Sequence, residues 1–183
     1  MNKRIIIVPG GFQYVKNYGG YDGVDIWLKS SPKNLPTADY YIGHSGGVNF
    51  ILSHYDSIHS GKFIFINPLI RKRNILSLLW NWIKFFFIEG IRRKKIVPIN
   101  NWLYGFKLVL KLLKVDVFGI IQKIPKEKFF IIKGKNDVWF CDKKSAEMIR
   151  NSGIKLIEVD AGHDWNQNIA ETVKKFIDNS NIN

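Results

Sequence analysis

Cysteine is almost missing from this sequence: Cys141 is the only one in 183 residues. A single cysteine excludes a disulfide framework and a cysteine-built zinc site. Long uncharged apolar runs are also missing. The longest apolar stretch is interrupted by Lys84 and Glu89, leaving fewer than the 18 or so residues a membrane-spanning helix needs. At the start, Met1-Asn2-Lys3-Arg4 precedes only five apolar residues, Ile5 to Pro9. A secretory signal needs about 7–15 and a small-residue cleavage site, so the expectation is a cytoplasmic protein. Negative charge is scarce, with 15 Asp+Glu against 28 Lys+Arg and a net charge of +13. What is plentiful is apolar and aromatic surface, 46% and 14% of residues, which places the chain among globular proteins rather than disordered ones. The length suits one domain that buries roughly two thirds of its unfolded surface.

An excess of cations invites a nucleic-acid or membrane reading, so its placement matters. Residues 68–128 hold 14 Lys+Arg and only Glu89, Asp116 and Glu127 as acids, a net +11. The other 122 residues hold 14 basic and 12 acidic groups, a net +2. The protein is nearly neutral apart from one strongly basic, aromatic-rich segment.

Outside that segment, short runs at 4–8, 40–43, 62–67, 128–133 and 155–159 are almost continuously apolar. Strands buried on both faces of a parallel sheet read this way. Helical patterns follow at 46–57, at 141–151 with Asp142 as cap and Gly153 as stop, and at 166–179. The alternation predicts an α/β fold, a three-layer sandwich around a mainly parallel sheet. Residues 24–28 read as a further short strand.

One motif carries chemistry. Gly43-His44-Ser45-Gly46-Gly47 fits Gly-x-Ser-x-Gly, with an apolar strand entering it and a helix leaving it. So sharp a turn needs glycine before and after the serine, and it lifts the hydroxyl above the sheet at a helix N-terminus. Serine becomes a nucleophile only when a base takes its proton and an acid orients the base. Asp137, in Gly134-Lys135-Asn136-Asp137, and His163, in Ala161-Gly162-His163-Asp164-Trp165, both follow expected strands. Active sites of open α/β sheets lie at such carboxyl ends. An oxyanion needs two N–H donors. Gly46 supplies one candidate, and Gly11 or Phe12 in Pro9-Gly10-Gly11-Phe12 supplies the other.

These residues make the sequence resemble small α/β-hydrolase fold serine hydrolases of the esterase and lipase kind. Val-Pro-Gly-Gly is similar to the oxyanion loop of that superfamily and Gly-His-Ser-Gly-Gly to its nucleophile elbow. Gly-Lys-Asn-Asp and Ala-Gly-His-Asp-Trp are similar to its acid and histidine loops. The usual first strands are absent here, and the segment between oxyanion loop and elbow is short by a helix or strand. The resemblance implies a helical cap over the site formed by 68–128. It implies Ser45, Asp137 and His163 as catalytic residues, no cofactor and no metal. It also implies an ester, or alternatively a thioester, as the small-molecule substrate, and the apolar residues of the expected cap point to a hydrophobic acyl group. A peptidase, an acyltransferase and a non-catalytic binding protein are the alternatives.

Each residue has a blander rival. Ser45 and His163 can be read as plain turn and loop residues, and Asp142 rivals Asp137 as the acid. Asp160 and Asp164 sit too close to His163 to orient it, so capping is expected of them. His44, His54 and His59 are expected to be structural. In the basic segment, 75–91 and 101–115 read as apolar helices. Asn74, Ser77, Asn81 and Lys84 make one thin polar stripe, and Lys107, Lys111 and Lys114 the other, with Arg92-Arg93-Lys94-Lys95 between. The simplest expectation buries the apolar faces on the core and solvates the lysines. A second lays the cap on an anionic membrane, at its inner face. Nucleic acid is the weakest reading, because no exposed stacking platform or known motif is present.

Overall fold

The computed structural model describes residues 3–32, 34–90 and 95–179. Five strands, β1 (Ile5–Val8), β2 (Tyr40–His44), β3 (Lys62–Ile66), β4 (Phe129–Gly134) and β5 (Leu156–Val159), form one sheet in sequence order. Every neighbouring pair is parallel. The registers Val8↔Gly43, His44↔Ile66, Ile66↔Ile132 and Gly134↔Val159 bring the carboxyl ends of the strands together along one edge.

Strand residues alternate between two cores, as the two-residue period requires. Ile6, Val8, Phe63, Phe65, Phe129 and Ile131 face one cluster with α1 (Gly46–Leu52) and Ile149 of α5 (Lys143–Asn151). Ile7, Ile42, Ile64, Ile66 and Ile132 face the other, closed by Ile169, Val173 and Ile177 of α6 (Gln167–Asn179). Each such side chain taken fully out of water contributes about 1.5–3 kcal/mol. Every residue of α1 is buried, since it lies between the sheet and the helices of the 68–128 segment. That explains its lack of a polar face.

The segment between β3 and β4 folds into α2 (Ile75–Phe85), α3 (Trp102–Leu112) and α4 (Val117–Ile121). A single π turn, Phe86–Gly90, continues α2. The expected end of the first helix at Ile91 and the run Arg92-Arg93-Lys94 lie outside the described residues.

Two sequence expectations are corrected. Residues 24–28 make no strand. Gly23 forms one isolated bridge to Ile7, after which Asp25 accepts from Val15 N–H and the chain turns, burying Ile26 and Trp27. The helix expected over 46–57 ends at Leu52, capped by Ser53, and one short 3-10 turn, Tyr55–Ser57, follows.

Candidate active site

The elbow is built by close backbone approach. A Cβ on Gly47 would lie 2.1 Å from the Val8 carbonyl oxygen, and one on Gly43 would lie 2.8 Å from Val48 Cα. Between them Ser45 adopts φ 50° and ψ −119°, a conformation that L-residues avoid, and serves as the first boundary residue of α1. Strain of this kind costs about 1–3 kcal/mol and persists only where the surrounding fold enforces it. Here the β2–α1 junction enforces it and aims Ser45 Oγ past the sheet edge.

His163 and Asp137 meet Ser45 there. The Ser45 hydroxyl donates to His163 Nε2 at 2.9 Å, and His163 Nδ1–H donates to Asp137 Oδ2 at 2.6 Å. The Asp137 carboxylate also accepts three backbone N–H groups, from Trp139, Phe140 and Cys141, at 3.0–3.1 Å. Burial alone would raise its pKa. The nearby His163 and these hydrogen bonds outweigh that and hold it at about 2.

Asp142, the rival acid, is engaged elsewhere. It caps α5 through Ser145 N–H and pairs with Arg71 and Arg73. Neither Asp160 nor Asp164 caps a helix, contrary to expectation. Asn166 takes the α6 position by accepting from Ile169 N–H, and Asp164 instead accepts from Lys95 Nζ and Gln13 Nε2, both at 2.8 Å. Burial pushes the Cys141 thiol pKa up, which leaves it an inert core residue.

A second layer holds His163 from behind. Its carbonyl oxygen accepts from His44 Nε2–H at 2.8 Å and from Asn67 Nδ2 at 2.7 Å. Asn67 Oδ1 accepts from Gly134 N–H, so one buried side chain ties the ends of β3 and β4 to the histidine loop. The Tyr18 hydroxyl lies 2.6 Å from both His44 Nδ1 and Gln13 Oε1 and accepts from Gly10 N–H. Burial, reinforced by His163, lowers the His44 pKa to about 4, so His44 is neutral at pH 7. Tyr18, Gln13 and Asn67 were not singled out from sequence. Only Asn67 had a signal there, as a polar residue at the end of an apolar strand.

The oxyanion candidates lie beside Ser45. The Gly46 N–H belongs to the first turn of α1, where helical N–H groups have no intrahelical partner. Gly11 and Phe12 line the same pocket, and among the described residues neither N–H is taken up by another group. Phe12 has φ 59°, and its ring packs on Trp27, Trp82, Trp102 and Phe106. The 68–128 segment is thus clamped onto the loop that carries these N–H groups.

The pocket over Ser45 has an empty volume of about 820 Å³, its open mouth included. Its walls are mostly apolar and come largely from the inner faces of α2 and α3, among them Leu78, Trp82, Phe106 and Val109. Phe85 meets the His163 ring edge-on and Phe140 meets it at a tilt, with centroids at 5.3 and 4.5 Å, and the ring is buried. Asn49 Oδ1, buried and without a hydrogen-bond partner among the described residues, also borders the pocket and is open to a donor on a bound molecule or to water. Among the described residues, no three His, Cys, Asp or Glu side chains cluster in a way that would hold a metal ion.

No family model matches the sequence, and no curated protein matches it. Solved structures do resemble the fold. DcsB in complex with its substrate analogue superposes with a TM-score of 0.57 at 12% identity, over 95% of this chain and 88% of that one. A thermophilic esterase from Thermogutta terrifontis gives 0.53 at 9% identity, over 96% and 89%. An α/β hydrolase fold protein from Burkholderia ambifaria gives 0.52 at 12% identity, over 97% and 90%. With five parallel strands between two helical layers and this likeness, the chain has the α/β-hydrolase fold.

Proposed function

We propose that the protein is a cytoplasmic serine hydrolase that cleaves carboxylic esters with a hydrophobic acyl group. The observation that supports this most directly is the unbroken hydrogen-bonded chain from Ser45 through His163 to Asp137, buried at the carboxyl edge of the sheet.

In this reading the ester carbonyl lies over Ser45, with its oxygen toward Gly46 N–H and the N–H of Gly11 or Phe12. Ser45 Oγ attacks the carbonyl carbon while His163 Nε2 takes the hydroxyl proton. Asp137 keeps Nδ1 protonated and stabilises the imidazolium, and the two N–H groups stabilise the oxyanion. His163 then gives its proton to the leaving alcohol as the C–O bond breaks, which leaves Ser45 acylated. Water enters, His163 removes its proton, and the acid departs with Ser45 protonated again.

The inner faces of α2 and α3 supply the apolar acyl site, so 68–128 acts as the cap. Longer acyl chains gain more buried area, and kcat/KM is expected to rise from acetate to medium-chain p-nitrophenyl esters. Faster turnover of the acetate would refute the acyl preference while leaving the chemistry intact. The chemistry is tested with a fluorophosphonate probe, which is expected to label the wild type and spare Ser45→Ala. Equal labelling of the two proteins would overturn it.

A further inference from the structure

The 68–128 segment uses only its inner faces to close the pocket. On the outer face of α2 and its π turn, Leu76, Trp80, Ile83, Phe87 and Ile88 are 42–79% exposed. Spacings of four, three and four place the first four of these on one helical stripe. Around α3, Ile99, Leu103 and Leu110 are 54–79% exposed. Eight of the nine exposed large apolar side chains in the described residues therefore lie in this one segment, with Val138 the exception. Scattered exposed apolar residues are ordinary in a soluble protein, but a continuous stripe is a binding surface.

The cations accompany the stripe. Lys84 Nζ sits 5.2 Å over the Trp80 ring, and Lys72, Lys107, Lys111 and Lys114 are exposed. The same segment has a net charge of +11. The simple expectation that the apolar faces are buried and only the lysines solvated is thus corrected. Asn81 is among the reasons, since it turns inward to donate to the Trp139 carbonyl instead of standing on a solvent stripe.

We propose that the outer faces of α2 and α3 dock on the surface of an anionic phospholipid bilayer. Aliphatic and aromatic side chains enter the headgroup boundary while the lysines pair with lipid phosphates, as interfacial helices do. Charge decides against a second copy of this chain, because face-to-face association would set one +11 segment against another. Nucleic acid is disfavoured because Trp80 and Phe87 are the two rings among these eight exposed side chains, and the six aliphatic ones offer no π face for a base. Among the described residues no helix is long and apolar enough to cross a membrane, so docking is peripheral.

The test is co-sedimentation of the full chain with vesicles of phosphatidylcholine alone or with added phosphatidylglycerol. Binding is expected only with the anionic lipid, weakening by about tenfold or more as salt screens it. Trp80→Ser with Phe87→Ser, and separately Lys107→Glu with Lys111→Glu, should each weaken binding by about tenfold, with unchanged circular dichroism and melting temperature. These positions are exposed and lie outside the hydrolytic machinery, so the outcome is independent of the proposed chemistry. Equal binding to both vesicle types, or wild-type binding by either double variant, would overturn the proposal. So would displacement from the vesicles by soluble glycerophosphoglycerol, or a lipid-free dimer lost in the Trp80/Phe87 variant.

Discussion

The carboxyl edge of the sheet and the roof above it solve opposite problems. At the edge, Ser45, His163 and Asp137 are each fixed by other polar groups or by the backbone. The Asp137 carboxylate accepts four hydrogen bonds and the His163 carbonyl two, and Ser45 is held in a strained conformation by the strands beneath it. The roof is held by one apolar face and leaves the other in water. On the proposed function the precision falls where acyl transfer needs close placement, and on the proposed docking the open apolar surface falls where a bilayer needs area. The two are joined by the packing of α3 and α4 on α1, by Phe12 in its ring cluster and Phe85 on His163, and by the ion pairs of Lys95 with Asp164 at 2.8 Å and of Arg71 and Arg73 with Asp142.

The comparison can be broken from the edge first. Asp137→Asn preserves shape but favours the wrong His163 tautomer, and kcat should fall by about 10⁴-fold. Asp142→Asn, a change of equal size five residues away, should leave kcat within about twofold, because Asp142 serves α5 and two arginines. Comparable losses in steady-state assays of the two variants would contradict the assignment of the acid.

Next is the joint. Phe85→Ala removes a buried ring from His163 and Phe140, and chemical denaturation should show a loss of roughly 3 kcal/mol. A neutral result would mean that the roof is not coupled to the site.

Acid should act on the edge through His44. Its folded pKa, about 4, lies below the unfolded value, so the unfolded chain takes up a proton between about pH 6.5 and 4 that the folded chain refuses. Stability from this group is complete above that window and declines by roughly 3 kcal/mol as pH falls through it. The groups facing His44 are His163, which works in the same direction, and Asp164 and Asp137, which oppose it. His44→Gln retains a donor toward the His163 carbonyl and should flatten the melting temperature over this range. Asp137 adds acid sensitivity only lower, between its ordinary value and about 2.

The smallest effect belongs to the outer roof. Leu103→Ser should change stability by no more than about 0.5 kcal/mol. A larger loss in thermal melts would mean that this face is already covered in solution.

The strands were legible because a parallel sheet buried on both faces must be built from unbroken apolar runs, such as Ile5–Val8 and the four residues after Lys62 in β3. Ser45, Asp137 and His163 stood out because each follows such a run at its carboxyl end, and the structure brings the three into one hydrogen-bonded chain. Distant contacts were not legible. Asp164 resembles a helix cap locally, and Lys95, 69 residues earlier, and Gln13, 151 residues earlier, draw it away. Tyr18 sits in an unremarkable loop until folding sets its hydroxyl against His44. At 24–28 the apolar pattern marked burial correctly, but Asp25 bonded to Val15 and made a turn of it. In the roof, periodicity located the helices without showing which of two apolar faces the core would take.

The most direct measurement is a rapid-quench experiment with a medium-chain p-nitrophenyl ester, read by intact mass and peptide mapping. The account predicts a burst of p-nitrophenol and an acyl group on the peptide that carries Ser45, both absent in Ser45→Ala. Hydrolysis without an adduct at Ser45, or at an undiminished rate in Ser45→Ala, would contradict it.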